Sequence, residues 1–159
     1  VSAIGTAYLS PTAPAFLLSY AEQELLIAEA AKRGLIAGGD SEAETHYNNG
    51  VLASMSSNGV ATASANQYLT DHPYNAGSAI SQIQTEKWIS LFGQGIEAWT
   101  EWRRTKIPAL SPAIEAAIGE IPSRYQYPPT EQALNGTNYS NAIQIQGPDL
   151  LTTKVWWMN

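Results

Sequence analysis

From Glu86 to Lys106 the chain reads EKWISLFGQGIEAWTEWRRTK, and this stretch carries three of the five Trp. At 100° per residue, Trp88, Leu91, Phe92, Gly95, Trp99 and Trp102 fall within an arc of about 100° on one helix face. Glu86, Glu97, Glu101 and Arg104 occupy the other side. The pattern predicts one long helix over about 78–105, roughly 40 Å at 1.5 Å per residue. Trp88, Phe92 and Trp99 are its expected buried anchors, and Trp102 shares the stripe. Gly93 and Gly95 each cost a helix interior about 1 kcal/mol against Ala. Gly95 is therefore expected to be a packing glycine that admits a close neighbour.

Upstream, the pattern is helical too. Ser19-Tyr20-Ala21-Glu22 is a capping box, and the apolar positions Leu25, Leu26, Ala28 and Ala31 continue from it to a stop at Gly34. Ser41-Glu42-Ala43-Glu44 is a second capping box, opening a helix through Tyr47, Val51, Leu52 and Met55 to Asn58-Gly59. Two such helices joined across Gly38-Gly39-Asp40 make an αα-hairpin. A short helix is expected over 61–69, closed by Asp71-His72-Pro73. After Pro108 the texture changes. Ser111-Pro112 reads as an N-cap with Pro at the first helical position, with a short helix to Gly119. One-turn helices are expected near Thr130 and Tyr139, and the tail Lys154–Trp157 is expected to dock back on the helices. No stretch keeps a period of two, so the expected class is all-α.

Composition narrows the function classes. The chain has 159 residues, 44% hydrophobic and only 14% charged, with a net charge of −6 and no Cys. Globular folding follows, and thiolate metal sites are excluded. Eight basic residues in an acidic chain argue against nucleic-acid binding. No run approaches the 18 or so apolar residues of a membrane-spanning helix. The first residues, to about 18, read as coil. The start at Val1, with no initiator Met, signal peptide or lipobox Cys, reads as that of an excised piece, expected to fold poorly alone because Leu25 and Ala28 face absent helices.

Catalytic chemistry finds few handles. His46 lies inside a helix and His72 in a Pro-containing turn, neither near a strained nucleophile elbow, and both read as structural. Their spacing gives no zinc pattern. Glu97 and Glu101 lie one turn apart, where Glu101 is expected to pair with Arg104. Aromatic faces flanked by amides suit binding better, because rings complement C–H faces while Asn, Gln and Arg direct hydrogen bonds. Tyr74, Tyr125, Tyr127 and Asn138 are the candidate ligand contacts, since they lie off the helix stripe beside Pro or Gly turns.

Several phrases carry a family resemblance, in order from about Ser19 to Trp157: SYAEQELLIAEAAKRG, HYNNGVLASM, QTEKWISLFGQGIEAWTEWRRT with Pro108 beyond, IPSRYQYPPTEQALNGTNYSNAI, and TTKVWW. They resemble the C-terminal region of the SusD/RagB family of outer-membrane nutrient-binding lipoproteins, in its SusD-like, starch-binding-associated subfamily. The resemblance implies tetratricopeptide-like helix pairs over 19–105 and a loop-rich remainder over 106–159, together part of one larger domain. It implies a lipid-anchored, Bacteroidetes-type protein at the cell surface, with no cofactor. Such a protein captures oligosaccharides or peptides and passes them, without catalysis, to a SusC-like TonB-dependent transporter. A helical protein-interaction module and a glycan-active enzyme are the alternatives; the latter needs paired carboxylates about 5 to 9 Å apart in a cleft.

Overall fold

The computed structural model describes residues 5–158. Eight helices and no strand occur among them, so the class is all-α. They are α1 (Thr6–Leu9), α2 (Tyr20–Lys32), α3 (Gly39–Ser57), α4 (Thr62–Asp71), α5 (Ala79–Ser90), α6 (Gly95–Thr105), α7 (Pro129–Leu134) and α8 (Gly136–Gln146). The chain forms two compact units, Val1–Trp102 and Arg103–Asn159. No helix among the described residues is long and apolar enough to cross a membrane.

The first unit is organised by the α2–α3 hairpin with α5 laid against it. Ser19 caps α2 by accepting the Glu22 N–H at 3.0 Å, as the sequence box predicts. The second box does not form a cap. α3 starts three residues earlier, at Gly39 behind a left-handed Gly38, and Ser41 lies within the helix. Small residues let α2 and α3 close tightly: a Cβ on Gly50 would sit 2.6 Å from Leu25 Cγ. Around this contact Leu25, Ala28, Tyr47, Val51, Ala79 and Ile83 form the core, with Met55, Tyr68, Leu69 and Tyr74 packed at its edge. Leu25 and Ala28, expected to face absent helices, are thus fully buried in the chain's own core.

The long Trp helix is two helices. α5 ends at Ser90, residues 91–94 turn, and α6 begins at Gly95. Gly93 supplies the break, with φ +87 in the left-handed region that L side chains enter only at a cost. Restarting the helix after a turn resets its angular phase, so the single stripe dissolves. Phe92, expected buried, is 62% exposed, and Gly95, expected in tight packing, has nothing within 4 Å of where its Cβ would be. Leu91 and Trp102 are buried, while Trp88 and Trp99 are half-buried. Part of the expected N-terminal coil is likewise helical, over Thr6–Leu9, while residues 1–4 lie outside the described residues.

The second unit is loop-rich. No helix forms between Ser111 and Gly119, where Glu115 is left-handed at φ 61 and Ile114 stands in solvent. A helix of that length is marginal without an apolar face to bury. α7 and α8 instead pack as a pair, and α8 runs 11 residues where a single turn is expected. The loops are tied by Leu151, whose carbonyl accepts the Ser123 and Arg124 N–H groups at 2.7 and 3.3 Å. In the tail, the Arg103 guanidinium lies 4.7 Å from the centre of the Trp157 ring, and Trp156 faces solvent.

Candidate functional site

The four candidate contacts divide between the units. Tyr74 belongs to the first, where its hydroxyl donates to Asp40 Oδ1 at 2.7 Å and its ring leans on Tyr47. Asp40 also receives Lys32 Nζ. Burial and that carboxylate push the Tyr74 hydroxyl well above its ordinary pKa. Tyr74 therefore braces the start of α3.

Tyr125, Tyr127 and Asn138 lie in the second unit. The Tyr127 ring meets Tyr139 edge-on at 5.8 Å and sits 5.1 Å from the Arg124 guanidinium. Its hydroxyl accepts from Gln146 Nε2 at 3.1 Å, and its N–H reaches the Asp149 carboxylate. Asp149 also pairs with Arg124 at 3.4 Å, so this half-buried frame is held from several sides. Tyr125 is different, with 70% of its surface exposed beside that frame. Asn138, on the open surface of α8, donates to Asn135 Oδ1 at 2.7 Å and keeps its carbonyl oxygen open to solvent.

A groove of about 800 Å³ in the first unit was not foreseen from the sequence. Tyr8, Phe16, Phe92 and Ile96 give it apolar walls, and Asn58 and Gln94 give it amides. Tyr8 and Phe92 meet at 5.4 Å, edge to face, and both remain largely exposed. The Tyr8 hydroxyl donates to Asn58 Oδ1 at 2.7 Å, while Asn58 Nδ2 is held by Ser54 O at 2.8 Å. Gly93 belongs to the same construction, since a Cβ there would meet Tyr8 Cε1 at 3.2 Å. The turn that breaks the Trp helix thus presents Phe92 and seats Tyr8. Glu97 is the one charged residue among the described residues that line the groove. Tyr8 and Phe16 lie in a segment without periodicity, so no sequence pattern marks them; Phe92 was visible but assigned to the interior.

Titratable residues elsewhere are occupied structurally. His46 bridges Glu24 of α2 and Glu42 of α3, at 2.7 and 3.1 Å. His72 stacks on Tyr68, whose hydroxyl donates to Glu86 at 2.6 Å. Glu101 pairs with Lys87 at 3.1 Å, across α5 and α6. No group of three His, Asp or Glu among the described residues could hold a metal ion.

A family model described as "Starch-binding associating with outer membrane", SusD-like, matches residues 1–128. The chain belongs to the SusD-like family. Solved structures agree with that membership. One titled a chitin-binding protein is 38% identical with TM-score 0.76, over 87% of this chain and 32% of its own. A SusD-like protein of Bacteroidetes AC2a gives TM-score 0.87 at 29% identity, over 98% of this chain and 32% of its own. A chitin-binding SusD homologue from Flavobacterium johnsoniae gives 0.71 at 27% identity, over 86% and 35%. The chain spans about a third of the length of these SusD-like structures. No curated protein matches it.

Proposed function

We propose that this SusD-like chain is part of a cell-surface protein that captures oligosaccharides and delivers them, without catalysis, to a SusC-like TonB-dependent transporter. The observation that carries this reading is family membership together with two similar structures named for chitin binding. The groove supports it chemically. Exposed rings of Tyr8, Phe16 and Phe92 offer faces for the C–H side of a pyranose, and Gln94 offers an uncommitted amide for its hydroxyls or acetamido groups. A second candidate surface lies in the other unit, at the exposed Tyr125 ring and the exposed Asn138 amide. Tyr74 in the first unit and Tyr127 in the second act as braces. Anchoring at the outer membrane by a lipid on the full-length protein belongs to the same proposal.

Calorimetric titration of the full-length protein with N-acetylglucosamine oligomers and with maltooligosaccharides tests it. Binding of either series is expected. Phe92→Ala with Gln94→Ala should weaken it about tenfold or more, equivalent to ~1.4 kcal/mol. Unchanged affinity in that variant rejects the groove, and in Tyr125→Ala with Asn138→Ala the second surface. Absence of binding to any neutral oligosaccharide rejects glycan capture.

A further inference from the structure

The first turn of α2 sets a buried carboxyl near the ion pair that joins α5 and α6. Lys87 of α5 donates to Glu101 of α6, and both side chains are buried. Glu22 is buried too, only 9% exposed, and its Oε2 receives no hydrogen bond. The charged groups facing it are Lys87 from α5 and Glu97 and Glu101 from α6. His46 of α3 bonds to Glu24 of α2 and to Glu42 of its own helix, and Glu86 of α5 accepts the Tyr68 hydroxyl.

An ionised Glu22 would be a buried negative charge facing Glu97 and Glu101, with one oxygen lacking any donor. Both conditions penalise the charged form, by desolvation and by like-charge repulsion. A proton on Glu22 removes the charge and leaves the Lys87–Glu101 pair intact. We infer that Glu22 folds as the neutral, proton-carrying member of the Glu22–Lys87–Glu101 cluster, and that its ionisation loosens the first turn of α2 from α5 and α6.

The direction of its titration agrees. Burial raises its pKa above the ordinary 4.5; Lys87 and the Ser19 backbone pull the other way, and Glu97 and Glu101 add to the rise. The folded state then holds a proton that the unfolded state has released. The contribution is fully present below about pH 4.5 and is lost as pH rises through the folded value.

Infrared titration of the full chain reads this proton directly, through the C=O band of a protonated carboxyl. Bands from Glu22 and from Glu86, whose pKa burial also raises, should persist above the pH at which the exposed carboxyls ionise, and only the Glu22 band should be lost in Glu22→Gln. Glu101→Gln should hand Lys87 to Glu22 and move the band to lower pH. Thermal melts should give a Glu22→Gln minus wild-type difference that grows with pH, a comparison that cancels the His46 contribution. A Glu22 that ionises together with the exposed carboxyls overturns the inference, as does a melting difference of the same size at every pH.

Discussion

His46 places both ring nitrogens against carboxylates, which only accept hydrogen bonds. Both contacts are satisfied at once only by an imidazolium. Burial works against that charge, but the bonds to Glu24 and Glu42 outweigh it and raise the His46 pKa above 6.5. On Glu24 burial likewise works upward, and the donors His46, Asn49 and Tyr20 overcome it and lower the carboxyl below 4.5. The signs are opposite. The His46 contribution is full below about pH 6.5 and is lost as pH rises through its folded value, whereas that of Glu24 is present above about pH 4.5 and is lost on acidification. The α2–α3 bridge should therefore be strongest near pH 5 to 6. We predict that His46→Ala costs about 2 kcal/mol there, as for hydrogen bonds to a charged group. The cost should shrink as pH rises past the folded value, a trend that urea midpoints across pH would register. A cost independent of pH would mean that packing alone is lost. The sequence places His46 in a helix and assigns it a structural role, but its partner Glu24 lies 22 residues away, beyond the reach of local spacing.

Helices were legible where a local signal ends them. Ser19, Gly34 and Gly59 mark the ends of α2 and α3 because capping chemistry acts within one turn. The Trp segment failed for the same kind of reason. The stripe arithmetic assumes unbroken phase through Gly93, which instead ends the helix. Three glycines now separate three physical roles. Gly93→Ala should lower stability by about 1–2 kcal/mol, since its φ of +87 and the Tyr8 ring both oppose a Cβ. Gly50→Ala should cost about 1–3 kcal/mol by overpacking, because Leu25 and the Ala21 carbonyl leave no room. Gly95→Ala, expected from the stripe to clash, should instead raise stability by up to about 1 kcal/mol, because the position is helical and open. Chemical denaturation of the three variants checks the ranking. A destabilised Gly95→Ala would restore the idea of a neighbour at that face.

At the scale of the whole molecule, the all-α class was legible from helical periodicity and the absence of alternation, whereas the groove was not. Its walls come from Tyr8 and Phe16, in an aperiodic segment, and from Phe92 at a helix break, so only tertiary contact assembles them. Charge bears on the ligand proposed for this groove. The chain carries a net −6, and among the described residues the groove is lined by Glu97 and by no Lys or Arg. An anionic glycan would meet repulsion at long range and no countercharge on arrival, whereas a neutral sugar loses nothing. Ring faces and amides also work by contacts of a few ångström, well inside the screening length of about 10 Å at 0.1 M salt. We therefore predict that the full-length protein binds neutral oligosaccharides with a Kd that changes less than about twofold between low and physiological ionic strength. Glu97→Gln should leave that affinity near its starting value while relaxing discrimination against charged sugars. Titrations at two salt concentrations, with neutral and carboxylated oligomers side by side, decide the matter. Preference for the polyanion, with affinity falling steeply in salt, would place recognition on a basic surface and away from this groove.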